Sequence, residues 1–241
     1  MVIILVYVDD LLITGNDQKM ISKAKEILQH NFKIKDQGEL RSFLGIEIAR
    51  SKQGIFINQR KFALKLISEL GLTGSKPAST PMELHVLSQF MHCPKRSHID
   101  AVVEVVKYIK GAPGQGLLKS SNQSTKLIAF CDTDWASCPV SRRSVTGYVM
   151  KLGDSLVSWK SMKQCTVSRS SAEAEYRSMA AGVSEILWLT ALCRELGAEV
   201  DLPIELNSDS KATIQIAANP LFHEQTKDIE IDLHFIRERI Q

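Results

Sequence analysis

Leu127-Ile128-Ala129-Phe130-Cys131-Asp132 opens the stretch that decides the fold. From Lys126 onward the chain takes the pattern of alternating strands, and this first one is apolar with an acidic end. Val145 to Leu152 and Leu156 to Trp159 read as a hairpin around Gly153-Asp154. A long helix is predicted from Ser171 to Leu196, stopped by Gly197. Pro203 to Asn207 reads as a fourth strand, and Ser210 to Ala218 as a short helix broken at Asn219-Pro220. A last helix would carry Ile229, Leu233, Ile236 and Ile240 on one stripe. The fold class is α/β, with a mixed sheet and helices in this part of the chain.

Working outward to the N-terminus, Tyr7-Val8-Asp9-Asp10 lies between Ile3-Ile4-Leu5-Val6 and Leu11-Leu12-Ile13-Thr14. Two adjacent carboxylates thus sit at the tip of an apolar hairpin, where like charges repel and apolar flanks remove screening water. A tight two-residue turn prefers Asn-Gly or Asp-Gly, and this one has no Gly, which weighs against an ordinary surface turn. A divalent cation would remove the conflict between the two charges. Asp17 can cap a helix with Met20, Ile21, Ala24, Ile27 and Leu28 on one face. Residues 43–50 and 54–58 read as a hairpin, followed by an amphipathic helix from about Gln59 to Leu70 that Gly71 stops. Gly74 to Pro81 is a linker rich in Gly, Ser, Pro and Thr, and a helix with Val102, Val105, Val106 and Ile109 ends at Gly111-Ala112-Pro113-Gly114.

The Tyr-Val-Asp-Asp box resembles the polymerase-site box of reverse transcriptases. Other words follow in order: Phe43-Leu44-Gly45-Ile46-Glu47-Ile48, Ser79-Thr80-Pro81-Met82, Asp132-Thr133-Asp134-Trp135-Ala136, Arg142-Arg143-Ser144-Val145-Thr146-Gly147-Tyr148, Ser170-Ser171-Ala172-Glu173-Ala174-Glu175-Tyr176 and Ser208-Asp209-Ser210-Lys211. Together they resemble the Pol polyprotein of Ty1/copia-type LTR retrotransposons, from the end of the reverse transcriptase through a connection into ribonuclease H. The resemblance implies three parts: a palm and thumb-side remnant over 1–73, a linker and shortened connection over 74–122, and a ribonuclease H-like domain over 123–241. It implies Mg²⁺ or Mn²⁺ as cofactor, an RNA/DNA hybrid as partner, and Asp9 and Asp10 as the polymerase-like metal pair.

Ribonuclease H chemistry needs acids from different elements converging on two metal ions. Asp132 lies late in one strand and Asp209 at the end of the next central strand, where an open mixed sheet forms its crevice. Asp134 could share a side with Asp132, and the resemblance picks Asp132 as the ligand. Glu173 and Glu175 compete for the helical position. Measured from the stripe Ala172, Tyr176, Met179, Val183 and Ile186, Glu175 lies roughly 60° away and Glu173 roughly 100°. Glu173 also stands four residues before Arg177, the spacing of a surface ion pair. The periodicity therefore assigns Glu175 to the metals and Glu173 to solvent, and the resemblance points to Glu175 as well.

Size and charge bound the reading. The chain has 241 residues, 44% hydrophobic, with 30 basic against 27 acidic side chains, for a net charge of +3. That leaves room for one large or two modest domains and excludes a histone-like polycation. Nucleic-acid binding would need a local basic groove, for which Arg142, Arg143, Lys160 and Lys163 are candidates. The five cysteines form no C-x-x-C pair and fit no metal template, which suits a reducing cytoplasmic or nuclear setting. No apolar run reaches the length of a membrane span. His92, His98, His223 and His234 are dispersed, with His234 read as structural, and Trp135, Trp159 and Trp188 read as core or site-wall residues.

Against the family pattern the chain shows four departures, which together suggest a fragment. It begins just before the Asp9-Asp10 hairpin. Met82-Glu83-Leu84-His85-Val86 runs straight into Leu87-Ser88-Gln89-Phe90-Met91, as an internal deletion would leave it. Lys227-Asp228-Ile229 stands where the family has Lys-His-Ile. The chain stops at Gln241, before the strand and acidic helix that similar proteins carry. The expectation is therefore a Pol fragment with polymerase activity lost and hybrid-directed ribonuclease H activity residual. The alternative is an inactive remnant or a nucleic-acid- or protein-binding module.

Overall fold

The computed structural model describes residues 1–81, 87–210, 213–214 and 230–239. Its first element is the hairpin read from the sequence. Strand β1 (Val2–Tyr7) pairs antiparallel with β2 (Asp10–Gly15), with Tyr7 opposite Asp10. Val8 and Asp9 make the turn, and Val8 holds a φ of 50°, a costly conformation for a β-branched residue. Helix α1 (Gln18–Asn31) follows, and the Asp17 carboxylate accepts from the backbone N–H groups of Lys19 and Met20 at 2.9 and 3.2 Å.

A second sheet is built from β3 (Ser42–Phe43), β4 (Ile46–Ser51) and β5 (Gly54–Asn58). Helix α2 (Arg60–Glu69) follows, and its Ala63 and Ile67 are buried. Helix α3 (Arg96–Gly111) buries Val105 and Val106 and packs against α2. The Lys110 ammonium on α3 donates to the carbonyls of Leu72, Thr73 and Ser75 at 2.6–2.8 Å, fixing the loop that leaves α2. The sequence reading contained no strand between Gly114 and Lys126, yet β6 (Gly116–Ser120) adds to this sheet, pairing antiparallel with β5. Its arrival requires Gly54, whose φ is 142° and where an added Cβ would meet the Lys119 carbonyl.

The third sheet has the order β10-β7-β8-β9. Strands β7 (Leu127–Asp134), β8 (Val145–Leu152) and β9 (Ser155–Lys163) form an antiparallel meander, and β10 (Glu205–Asn207) joins β7 in parallel. Helix α4 (Ser171–Glu195) crosses one face. The expected α/β architecture is therefore present, with β7 and β9 running further than their apolar runs suggested. Mostly polar ends, Thr133-Asp134 and Lys160–Lys163 with its single Met162, carry little hydrophobic signal but continue the ladder with β8.

Along β7 burial alternates, so Leu127, Ala129, Cys131 and Thr133 face the core while Phe130, Asp132 and Asp134 are exposed. The core joins Ala129, Cys131, Tyr148 and Met150 of the sheet to Tyr176, Met179, Val183, Ile186 and Leu189 of α4. Helix α5 (Glu230–Arg237) packs on α4 and buries Ile236. Of the helix expected at 210–218, Thr213 and Ile214 are helical, and the Asn219-Pro220 break lies outside the described residues. So do His223, the Lys227-Asp228-Ile229 segment and Ile240.

Of the two places expected for the tryptophans, the core and a site wall, the structure rules out the core. Trp135, Trp159 and Trp188 are each more than half exposed, so none belongs to the core. Trp188 lies on the side of α4 away from its buried stripe, and Trp159 of β9 pairs opposite Val149.

Candidate metal centre at the sheet crevice

Three elements bring three acids together. Asp132 comes from the late part of β7, Asp209 from the turn after β10, and Glu175 from the second turn of α4. One carboxylate oxygen from each lies within 4.8 Å of the other two. Among the described residues this is the one such group of three acids, histidines or cysteines. Asp134 remains outside it, although its charge still reaches Glu175.

Local bonds hold these positions. The Ser178 hydroxyl, one turn beyond Glu175, donates to the carbonyl of Asp132 at 2.8 Å. The backbone N–H of Thr133 donates to Asp132 Oδ1 at 2.7 Å. β10 is tied to β7 by Cys131 Sγ on the Asn207 carbonyl and by Asn207 Nδ2 on the Ala129 carbonyl. Burial, and then the charge of Glu175, push the Cys131 thiol up to about 11, so it stays protonated and inert. Beyond Asp209, the hydroxyls of Ser210 and Thr213 are 2.6 Å apart.

Glu175 is the strained member. Its Oε2 is buried and has no hydrogen-bond partner among the described residues. Burial first, and then the negative charges of Asp132, Asp209 and Asp134, raise its pKa from 4.5 to about 7. An unpartnered buried carboxylate oxygen facing two further carboxylates is costly unless a proton or a cation sits among them. The donor set is all oxygen and all anionic, which suits hard cations such as Mg²⁺ and Mn²⁺. Carboxylate oxygens sharing one Mg²⁺ at about 2.1 Å lie no more than about 4.2 Å apart. The observed limit of 4.8 Å is therefore within a small side-chain adjustment of that spacing.

Glu173 corrects the assignment to solvent. It is 7% exposed and accepts from the Arg169 N–H at 2.7 Å and from Arg177 Nη2 at 2.7 Å. The Arg177 pair anticipated by spacing exists, but inside the protein rather than on its surface. Ser170 caps the same helix by accepting from the Glu173 N–H. Ser170-x-x-Glu173 has the form of a capping box, and that signal in the sequence could have predicted a carboxylate folded back over the helix start.

The other expected residues are placed as follows. Asp9 and Asp10 are exposed at the β1–β2 turn, and no third acid among the described residues joins them in such a group. Lys163 donates to Gln89 Oε1 at 2.7 Å, while Arg142 is exposed on the loop before β8. Lys160 and Lys163 are three residues apart in β9 and so fall in opposite side-chain phases. Sequence reasoning missed Gln164, which is 6% exposed and bonds both the β8 side chain of Thr146 and the α4 carbonyl of Ala174. It lies just past a strand end, where hydrophobic periodicity gives no signal.

Comparison with known proteins adds identity to this geometry. A family model described as reverse transcriptase (RNA-dependent DNA polymerase) matches residues 1–84. The Retrovirus-related Pol polyprotein from transposon RE1 of Arabidopsis thaliana is 35% identical over 279 aligned residues, covering 100% of this chain. The chain belongs to the Pol polyprotein family of copia-type retrotransposons.

The Pol polyprotein from transposon TNT 1-94 of Nicotiana tabacum is 27% identical over 99% of the chain. An uncharacterized mitochondrial protein of Arabidopsis thaliana is 33% identical over 78% of the chain and 94% of its own length. The chain spans about a fifth of the length of these two Pol polyproteins, 19% of the one from RE1 and 22% of the one from TNT 1-94. The RE1 alignment is longer than the chain itself, so some positions of that Pol polyprotein have no counterpart here. No solved structure matches the chain. The reverse-transcriptase match contains the Asp9-Asp10 turn, whereas the acid cluster lies beyond it. Among the described residues no helix is long and apolar enough to cross a membrane.

Proposed function

We propose that residues 123–241 act as the ribonuclease H part of a Pol protein and hydrolyse the RNA strand of an RNA/DNA hybrid with Mg²⁺ or Mn²⁺. In this reading residues 1–73 are a reverse-transcriptase remnant and 74–122 a shortened connection. The observation that carries it is the convergence of Asp132, Glu175 and Asp209, with the buried Glu175 Oε2 left without a partner among the described residues.

The metal, when bound, activates water and stabilises the leaving 3′ oxygen. The chain's own residues do the positioning. Asp132 and Asp209 offer exposed oxygens on the open side of the crevice, while Glu175 closes its floor from α4. Arg142, Arg143 and Lys163 border the sheet near β8 and would hold backbone phosphates, with Lys160 contributing from the other phase of β9. Asp9 and Asp10 keep the form of a polymerase pair, and template-directed synthesis is not expected from this chain alone. The protein would work in the cytoplasm or nucleus, with a hybrid as its partner.

The test is cleavage of a labelled RNA/DNA hybrid by the full chain with Mg²⁺ or Mn²⁺, against single-stranded RNA and duplex DNA. Cleavage of the RNA strand of the hybrid, abolished by chelator and by Asp132→Asn or Asp209→Asn, is the expected result. Salt-sensitive hybrid binding with no metal-dependent cleavage would overturn the enzymatic reading and leave a binding module.

A further inference from the structure

We propose that Thr133 and Gln164 are positioning residues that hold Glu175 against Asp132 by sharing the carbonyl of Ala174. This inference rests on the metal-centre reading above.

Thr133 directly follows Asp132, and Ala174 directly precedes Glu175. The Thr133 hydroxyl donates to the Ala174 carbonyl at 3.2 Å, so one hydrogen bond spans the residues adjoining two of the three acids. Gln164 Nε2 donates to the same carbonyl at 2.9 Å and to Thr146 Oγ1 at 3.0 Å. Thr146 is the cross-strand partner of Thr133. On its other side Gln164 Oε1 accepts from the Ser168 hydroxyl at 2.9 Å, and the Ser168 carbonyl accepts from Trp135 Nε1 at 3.2 Å. The Gln164 N–H completes the frame by donating to the Ser144 carbonyl at 2.8 Å.

All four polar side chains, Thr133, Thr146, Gln164 and Ser168, are at least nine-tenths buried. Ala174 lies in the first turn of α4, where its carbonyl also belongs to the helix ladder. The helix ladder calls on one of the carbonyl's two lone pairs, so the two side-chain donors share the other and serve something besides the helix. What the arrangement supplies is registry. It fixes the height of the first turn of α4 against the end of β7, and with it the separation of Glu175 from Asp132. The three like charges would otherwise push that turn away. Apolar packing alone resists such sliding weakly, whereas buried directional bonds specify one position.

The experiment measures Mn²⁺ affinity of the full chain by electron paramagnetic resonance, together with the thermal midpoint in chelator. The variants are Thr133→Val, which keeps shape and loses the donor, Thr133→Ser, which keeps the donor, and Gln164→Met. Asp132→Asn is the control. Loss of such supporting bonds weakens metal affinity by about tenfold or more. The expected result is that T133V and Q164M bind Mn²⁺ about tenfold more weakly, while T133S binds like the unaltered chain. A merely structural role would lower the midpoint of T133V and leave the Mn²⁺ affinity of the folded protein unchanged, which overturns the inference. Equal weakening in T133S and T133V also overturns it. If T133V does not fold, Q164M carries the comparison. If the unaltered chain binds no Mn²⁺, or D132N binds as well as it does, the metal centre itself is refuted, an outcome distinct from the failure of these two residues.

Discussion

Glu175→Gln should make the metal-free protein more stable above neutral pH, although it removes a proposed metal ligand. The carboxyl has a folded-state pKa of about 7 against an ordinary 4.5, raised chiefly by burial and then by Asp132, Asp209 and Asp134. A raised carboxyl pKa means that the folded state holds the proton more tightly than the unfolded state does. Stability from this group is therefore fully present below pH 4.5 and is lost as pH rises through 7. At about 1.4 kcal/mol per pH unit the full shift corresponds to about 3 kcal/mol. Glu175 is only partly buried, and solvent screening reduces the figure to about 1–2 kcal/mol. For a chain of this size that is a rise in thermal midpoint of about 2–8 °C. The assay is thermal unfolding by circular dichroism in chelator at pH 4.5 and pH 8, for both proteins. The gain should appear at pH 8 and vanish at pH 4.5, where the glutamate is already neutral. Added Mn²⁺ should reverse the order at pH 8 by stabilising the glutamate form alone. A gain of equal size at both pH values, or none at pH 8, would refute the account of Glu175 as a buried charge held among like charges.

Two further substitutions test features that the sequence did not announce. Glu173→Ala removes a buried acceptor of the Arg169 N–H and of Arg177, and should cost about 2 kcal/mol in urea unfolding; a surface glutamate would change stability by less than about 0.5 kcal/mol. Val8→Gly relieves a positive φ at a side chain that is 82% exposed, so amide exchange within residues 2–15 should slow by about 2–5-fold, equivalent to about 0.5–1 kcal/mol; unchanged or faster exchange would show that the turn carries no such strain.

What could be read in the sequence divides along physical lines. Signals that are local and periodic were legible. Asp17 stands at the helix start with its carboxylate on two free N–H groups, as its position implied. The β7–β8 alternation and the breaker Gly153 gave the meander, and helical angle brought Glu175 to the crevice. Helical angle failed for Glu173 because it describes rotation about an axis and not reach along it. A first-turn glutamate can fold back over the N-terminus whatever its azimuth. Strand β6 escaped because Leu117-Leu118 is too short a run to stand out between Gly116 and the polar residues after it, and its pairing partner β5 lies almost 60 residues earlier. Gln164 and Thr133 escaped for a related reason. Their partners lie on β8 and α4, so their role exists only in the folded chain.

The strand β6 also joins parts of the fold that are far apart in the chain. At its end Ser120 N–H donates to Ser155 Oγ at 2.8 Å, and the Lys119 ammonium donates to the Leu156 carbonyl, both at the start of β9. On the other side the Ser121 N–H donates to the Gln53 carbonyl and its hydroxyl to the Lys52 carbonyl. The joint between the second and third sheets is thus a short clasp riveted on both sides by polar contacts. A substitution that displaces β6 would therefore be felt at the turn between β4 and β5 and at the start of β9 together.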